Sequence, residues 1–242
     1  LAVSKAGKNL ILLGDPQQLQ QPIQGTHPEG TEVSALEHLL DGEKTIEADK
    51  GIFLEKTWRM NPKICAFVSE MFYENKLKPV AGLENQTIKS DGYYQGSGLR
   101  YHQVQHEGNV NSSVEEIEEI KKIVADLCKK GSMYVNKVGV EKQITQEDIK
   151  IISPYNAQVQ ALKAAFPGIE IGTVDKFQGQ EAPVVIYSVA TSTPEDAPRG
   201  MEFLYSPNRF NVAVSRAKAL FILVANKKIF EPECKSPNQI KL

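Results

Sequence analysis

Two arginines and a lysine flank an apolar stretch near the end of the chain. The segment Asn208–Lys218 reads NRFNVAVSRAK and carries Arg209, Arg216 and Lys218. A strongly apolar run, Ala219–Ala225, follows at once and is typical of a buried strand. Guanidinium groups stay charged at any biological pH, and their planar fork of donors matches the oxygens of a phosphate. Arginines held at the edge of a buried sheet therefore indicate a site for a phosphate group.

The composition is that of an ordinary globular protein. The chain has 242 residues, of which 41% are hydrophobic and 24% charged, and its net charge is −2. No global basic field marks it as a nucleic-acid binder, although a basic groove within a neutral protein is compatible with this charge. The three cysteines are far apart, so we expect a reducing compartment, the cytoplasm of a bacterium or archaeon, with a eukaryotic nucleus or cytosol as the alternative. We expect no metal site, because the four histidines show no ligand spacing, and no membrane span.

Short apolar runs alternate along the chain with amphipathic helical patterns. The predicted strands are Asn9–Gly14, a strand that begins at Ile52–Leu54 and runs into Thr57-Trp58-Arg59, Leu99–Val104, Ile149–Ser153, Ile169–Thr173, Val184–Ala190 and Leu220–Ala225. The predicted helices are Val33–Leu40, a helix starting at Asn61-Pro62, Val114–Lys130, Ala157–Phe166 and Asn208–Lys218. Such alternation predicts an α/β fold with a parallel sheet. The stretch Lys78–Gly98 is rich in Gly, Asn and Ser, and we expect it to be the least ordered.

Polar clusters follow several of the predicted strands. They are Gly14–Leu19, Thr57–Met60, Ser153–Gln158, Thr173–Glu181 and the helix that carries Arg209 and Arg216. Because ligands of parallel α/β sheets bind beyond the carboxyl ends of the strands, we expect all five clusters to meet at that edge.

In this order, the five clusters resemble the motifs of the C-terminal motor region of a superfamily 1 (1B-type) helicase. The resemblance is to the branch of the nonsense-mediated-decay RNA helicase and the Dna-type nuclease-helicases. The matching segments are GDPQQLQQP at Gly14–Pro22 (motif III), TWRMNPKICAFVSEMFYENKL at Thr57–Leu77 (motif IV), SPYNAQV at Ser153–Val159, GTVDKFQGQEAPVVIYS at Gly172–Ser188 (motif V) and NRFNVAVSRAK (motif VI). The resemblance implies a RecA-like fold of the P-loop NTPase type, with residues 1–45 ending one RecA-like domain and residues 46–242 forming the second.

Other motifs of that family are not in the sequence. The chain has no GxxxxGK[ST] phosphate loop and no DExx acid pair. We therefore expect a fragment that hydrolyses no ATP by itself, with the magnesium ligands outside it. Trp58 stands where the family usually has tyrosine, Asn61 where it has histidine and Thr57 where it has glutamine.

The resemblance implies catalytic roles for three side chains. Arg59 and Arg216 would be the arginines that neutralise charge on the γ-phosphate of ATP, and Gln18 would sense that phosphate. The alternatives are a surface cation for Arg216, a salt bridge to a nearby glutamate (Glu55 or Glu70) for Arg59, and Gln17 in place of Gln18.

Four further residues are implied in binding the nucleotide. Trp58 would stack on the base, and Glu181 would contact the ribose or the ATP-site arginines. Gly179 gives a tight turn with free amides, and Asp15 would orient motif III or bond the amides of its own turn. A core position for Trp58 and a structural salt bridge for Glu181 remain open.

The nucleic-acid contacts implied by the resemblance lie in motif V and the PY element. They are Thr173, Asp175, Gln178, Ser153, Tyr155 and Asn156. Core packing is the alternative role for Tyr155. For Arg209, which has a weaker claim to a functional role, the alternative is to anchor the sheet edge. The expected activity is ATP- and Mg²⁺-dependent 5′-to-3′ translocation on single-stranded DNA or RNA. The expected partners are the N-terminal helicase domain and a fused nuclease domain. The alternatives are a RecA-like binding module without motor activity, or a motor that feeds a separate nuclease domain.

Overall fold

A five-stranded parallel sheet forms the centre of the structure, a computed structural model that describes residues 7–9, 11–19 and 33–232. The strands are β1 Lys56–Thr57, β2 Lys78–Pro79, β3 Thr87–Lys89, β4 Gly98–Gln103, β5 Met133–Val135, β6 Glu141–Gln143, β7 Ile149–Ile152, β8 Glu170–Gly172, β9 Ala182–Ser188 and β10 Ala217–Ala225. The α-helices are α1 Ala35–Leu40, α2 Pro62–Phe72, α3 Val114–Leu127, α4 Asn156–Ala165, α5 Met201–Leu204 and α6 Pro207–Val214. Short 3-10 helices cover Leu83–Asn85, Gln146–Asp148, Val174–Phe177, Pro194–Asp196 and Lys227–Phe230.

The central sheet has the strand order β4-β10-β9-β7-β8, and every neighbouring pair is parallel. In its register, Leu220 of β10 lies beside Val184 of β9, and Ile186 of β9 lies beside Ile151 of β7. All seven residues of β9 are buried, because helices cover both faces of the sheet. The predicted parallel α/β fold is confirmed.

Two apolar clusters fill the space between this sheet and its helices. On one face, α3 and α4 contribute Ile120 and Leu162, and on the other, α2 and α6 contribute Ile64 and Val212. Asn61 begins α2 as predicted, because its side-chain oxygen accepts a hydrogen bond from the Lys63 amide at 2.9 Å. No helix in the described part of the chain has the length and apolarity needed to cross a membrane.

The segment that we expected to be least ordered contains regular structure instead. Within Lys78–Gly98, β2 pairs with β1, and β3 joins β5 and β6 in an antiparallel sheet. Leu83 and Ile88 are buried in this region and anchor the glycine-rich segment to the apolar core.

One predicted strand is wrong, and a second is shorter than predicted. The described part of Asn9–Gly14 forms no strand, and Leu13 is 90% exposed. Residues 52–54 are irregular, with Leu54 80% exposed, and only the later part of the second predicted strand forms the short β1. An apolar run becomes a buried strand only where a neighbouring strand hydrogen-bonds to it. No strand of the described residues pairs with either run.

The segment Asn208–Lys218 is divided between a helix and a strand. Helix α6 ends at Val214 with Ser215 as its C-cap, and β10 begins at Ala217, which lies beside Ala182 of β9. The apolar run of β10 thus extends further back than predicted, because β9 offers a partner there. Arg216 consequently lies in the link between helix and strand, and Lys218 lies within the strand.

Burial on both faces makes β10 sensitive to truncation of its apolar side chains. We expect Leu220→Ala, at a fully buried position, to lower the free energy of unfolding by about 2–5 kcal/mol, since it removes apolar contacts and leaves a cavity. Urea denaturation of the purified chain measures the change. Leu54→Ala, at an exposed position, is the matched control and should have little effect; equal losses for both variants would contradict this account of the core.

Candidate nucleotide-responsive site

Four predicted site residues meet at the amino ends of the two central strands. Glu181 directly precedes β9, Arg216 directly precedes β10, and Arg59 and Gln18 contact them. The prediction that all five clusters lie at the carboxyl ends of strands is therefore wrong for this group. The reason is that α6 leads into β10, so its last turn lies beside the start of that strand.

Arg216 is the buried centre of this group. Its side chain is enclosed, with the residue only 2% exposed, which excludes the surface-cation alternative. Nε donates to the Val212 carbonyl at 2.9 Å, and Nη2 donates to the Ser215 hydroxyl at 3.1 Å. Longer contacts of 3.4 Å reach the Gln180 carbonyl from Nη1 and the Gln18 side-chain oxygen from Nη2. The guanidinium is thus held by its own helix end, and its outer nitrogens face the motif III loop.

The environment of Arg216 is unfavourable to its own charge. Burial, and to a smaller extent the neighbouring Arg59 guanidinium, lower the pKa of Arg216 to about 10. The group remains charged at neutral pH. A buried cation that is repelled by a second cation is a favourable place for an incoming anion, because the anion relieves both costs.

Arg59 belongs to a chain of ion pairs with Glu181 and Lys218. Nε of Arg59 lies 2.7 Å from one Glu181 carboxylate oxygen, and Nζ of Lys218 lies 2.7 Å from the other. Nη1 of Arg59 also donates to the Ser215 carbonyl at 3.0 Å. The salt bridge expected as the alternative for Arg59 exists, but its partner is Glu181 from motif V. Burial by itself raises the pKa of Glu181, and Lys218 and Arg59 outweigh burial and bring it below the usual value.

The motif III loop presents Gln18, and not Gln17, to Arg216. Nε2 of Gln18 donates to Asp15 Oδ2 at 2.8 Å, which leaves its oxygen facing Arg216. Gln17 directs its amide to the Lys44 carbonyl at 3.2 Å. Asp15 fulfils both functions suggested for it, since Oδ1 accepts from the Gln17 backbone amide at 3.0 Å while Oδ2 holds Gln18. The last residues of the motif, 20–22, lie outside the described part of the chain.

Trp58 lies on the surface beside this group. The indole is 69% exposed, so the core alternative is wrong. An exposed aromatic face next to Arg59 is available for stacking on a planar ligand.

A second group of predicted residues lies at the carboxyl ends of β7 and β8. Asp175 forms an ion pair with Arg209 at 3.1 Å, and the Arg209 guanidinium lies over the Phe203 ring at 4.8 Å. Phe203 in turn contacts the Tyr155 ring, with 5.8 Å between the ring centroids. Tyr155 is 5% exposed, which agrees with its packing alternative, and Ser153 is fully buried. These two residues support the surface without lying on it.

The remaining predicted residues of motif V and of the PY element are accessible to solvent. Asn156 begins α4 and is exposed, and Thr173 follows β8 and is half-buried. Gln178 and Gly179 are exposed in the turn between Val174–Phe177 and β9. Gly179 has a φ of 84°, a left-handed conformation that favours glycine.

Sequence reasoning missed four residues that hold the amino-end group together. They are Lys218, Tyr73, Asn208 and Asn211. The spacing of Asn208 and Asn211 offered a signal, since residues three apart on a helix share a face. Tyr73 offered none, because nothing in its local sequence distinguishes it from the apolar residues of α2.

The donor set suits phosphate but not a metal ion. The guanidinium groups of Arg59 and Arg216 lie close to the side-chain amide of Gln18. Guanidinium groups bind phosphate oxygens strongly. Within residues 7–9, 11–19 and 33–232, no group of three or more His, Cys, Asp or Glu side chains could hold a metal ion. The described residues at this site therefore offer donors for phosphate oxygens.

The ion pairs around Glu181 give a testable pH dependence. The pKa of Glu181 is lowered, so its contribution to stability is present above the ordinary carboxyl pKa and is lost as the pH falls through the lowered value. We expect Lys218→Met to raise this pKa, as measured by carbon NMR titration of the carboxylates. Lys121→Met, which removes the helix-surface pair with Glu118, is the control and should leave Glu181 unchanged. An unaltered Glu181 titration in Lys218→Met would refute the pairing.

Comparison with known proteins is consistent with this geometry. Helicase mov-10-B.1 of Danio rerio is 33% identical over 93% of the chain, and ATP-dependent helicase NAM7 of Saccharomyces cerevisiae is 27% identical over 94%. RNA helicase Mov10l1 of Mus musculus is 28% identical over 94%. The chain spans only 25%, 24% and 21% of the lengths of these three relatives.

A family model covers most of the chain. The model described as an AAA domain (AAA_12) matches residues 31–228, which include motifs IV, V and VI and every element of the central sheet. The chain therefore belongs to the AAA domain family, as the C-terminal motor region of a superfamily 1 helicase.

Proposed function

We propose that this chain is the nucleotide-responsive part of an ATP-dependent helicase or translocase acting on single-stranded DNA or RNA. In this proposal, residues 1–45 end the first RecA-like domain and residues 46–242 form the second. The observation that carries it is the placement of buried Arg216 between Arg59 and Gln18, because three phosphate-binding side chains from three motifs meet there. The three relatives described above are all named as helicases, which agrees with this proposal.

The contacts of Arg216 suit an arginine that exchanges protein partners for phosphate oxygens. Its shorter hydrogen bonds go to Val212 and Ser215 and fix its direction. Its 3.4 Å contacts to Gln180 and Gln18 are at the weak end of hydrogen bonding, so a phosphate could replace them at little cost. An arginine oriented before phosphoryl transfer stabilises the developing charge without having to reorganise.

ATP would supply the phosphoryl group transferred to water, and the residues of this chain would surround only one side of it. Arg59 and Arg216 would approach its γ-phosphate, and Trp58 would stack on the base. Glu181 holds Arg59 and Lys218 until the phosphate competes for them. In this proposal the Mg²⁺ ligands lie outside this chain, whose sequence has no DExx pair.

The proposed path of the nucleic acid runs over the carboxyl ends of β7 and β8. Thr173, Gln178 and Asn156 are accessible there, and the exposed turn at Gly179 would bring its backbone close to a phosphate. Contacts of this kind reach the sugar-phosphate backbone, so binding should weaken with salt and depend little on sequence.

The role of Arg216 can be tested in the complete helicase polypeptide. We expect Arg216→Ala to lower nucleic-acid-stimulated ATPase activity by about 10³-fold or more while ATP affinity changes little, because the arginine acts mainly on the transition state. Steady-state ATPase assays and equilibrium binding of a fluorescent ATP analogue measure the two quantities. Arg100→Ala, a surface arginine on β4, is the control, and the melting temperatures of both variants report on folding. Near-normal ATP turnover in Arg216→Ala would contradict the role proposed for Arg216.

The 242-residue chain alone should hydrolyse no ATP, because its sequence lacks a phosphate loop. Phosphate release by the purified chain with Mg²⁺ and single-stranded nucleic acid measures this, with the complete polypeptide as the positive control. Turnover by the chain that Arg216→Ala abolishes would show that it carries a complete site, contrary to the proposal.

A further inference from the structure

The motif III loop is held by side chains from the other end of the sequence. Nδ2 of Asn208 donates to the carbonyl oxygens of Pro16 at 2.9 Å and Gln18 at 2.6 Å. Nδ2 of Asn211 donates to the Gln17 carbonyl at 2.8 Å. Three consecutive carbonyl groups of the loop are thus bound by one face of α6.

Tyr73 joins this helix to the loop. It follows α2, is 7% exposed, and donates its phenol proton to Asp15 Oδ2 at 2.6 Å. The same phenol oxygen accepts from Nδ2 of Asn211 at 2.9 Å. Burial raises the pKa of Tyr73 above its ordinary value, and the Asp15 charge raises it further, so the phenol stays protonated and remains a donor.

The Asp15 oxygen that Tyr73 binds is also the one that holds Gln18. Oδ2 accepts from Tyr73 and from Nε2 of Gln18 at 2.8 Å, which turns the Gln18 oxygen towards Arg216. Without the phenol, the Asp15 carboxylate loses the bond that fixes its rotation, and its contacts with Gln17 and Gln18 become less constrained. The direction of the Gln18 amide would then no longer be set.

We propose that Tyr73 is a positioning residue, which sets the orientation of Gln18 towards Arg216 through Asp15. This inference rests on the proposed function, since its consequence is a slower ATPase step. The Gln18 side chain also lies within hydrogen-bonding reach of the Tyr73 phenol, so Tyr73 acts on Gln18 directly as well as through the Asp15 carboxylate.

The first test uses the 242-residue chain and needs no activity. Tyr73→Phe removes one oxygen and keeps the buried ring, so the fold should survive. We expect faster hydrogen–deuterium exchange at the Gln17 and Gln18 amides, which are bonded to the Asp15 side chain and backbone. Tyr101→Phe, which removes a 3.1 Å phenol bond to the Ala225 carbonyl on the central sheet, is the matched control and should leave the loop unchanged. Unchanged loop exchange in Tyr73→Phe would overturn the inference.

The second test uses the complete helicase polypeptide. Because hydrogen bonds to charged groups are strong, we expect Tyr73→Phe to lower kcat of the stimulated ATPase by about tenfold with little change in KM for ATP. A merely structural role would lower the amount of active protein and leave the kcat of the folded fraction unchanged. Faster loop exchange with normal kcat per active site would also overturn the inference. If the wild-type polypeptide shows no ATPase activity, the proposed function fails, and the exchange experiment still decides whether Tyr73 orders the loop.

Discussion

The buried guanidinium of Arg216 is the constraint on which the site depends. A buried charge is tolerated only where donors and acceptors are satisfied, and Arg216 obtains its acceptors from the end of α6, from Gln180 and from Gln18. Its backbone carbonyl accepts from the Ala182 amide at 3.0 Å, which ties the start of β10 to the start of β9. The same residue therefore fixes the register of two central strands and directs a cation at the motif III loop.

The opposite edge of the sheet has its own buried charge. The Glu116 carboxylate, fully enclosed at the start of α3, accepts hydrogen bonds from the Ser188 hydroxyl at 2.6 Å and from the Ala190 amide at 3.0 Å. His106 lies 3.2 Å from the same carboxylate. This network fixes the end of β9 against α3 and gives the proposed nucleic-acid surface a rigid base. Both ends of β9 are thus held by polar groups that the apolar core encloses.

The fold was predictable for the strands of the central sheet, whose apolar sequences indicate burial on both faces. The strands β7, β9 and β10 are predominantly apolar, a pattern typical of strands that a parallel sheet buries on both faces. The runs 9–14 and 52–54 have the same pattern, yet Leu13 and Leu54 are exposed, because burial requires a neighbouring strand that the described residues do not provide. Composition alone cannot distinguish these cases.

The sequence predicted which residues lie at the candidate site, but it did not predict which of them form ion pairs with each other. The motif resemblance named Arg59, Arg216, Gln18 and Glu181, and these four side chains do meet. Pairings such as Lys218 with Glu181 depend on where a helix ends and a strand begins, and that boundary was misplaced because the run from Asn208 to Lys218 satisfies both patterns. Tertiary packing decided in favour of the strand at Ala217.

Motif V explains how the two edges of the sheet can respond to each other. The segment from Thr173 to Glu181 begins at the carboxyl end of β8 and finishes at the amino end of β9, so it crosses the sheet from one edge to the other. At one end Asp175 pairs with Arg209, and at the other end Glu181 pairs with Arg59. Phe177 is fully buried between them and restricts independent movement of the two halves. Under the proposed function, a phosphate that draws Arg59 away from Glu181 changes the forces on a segment whose other end lies beside the nucleic acid.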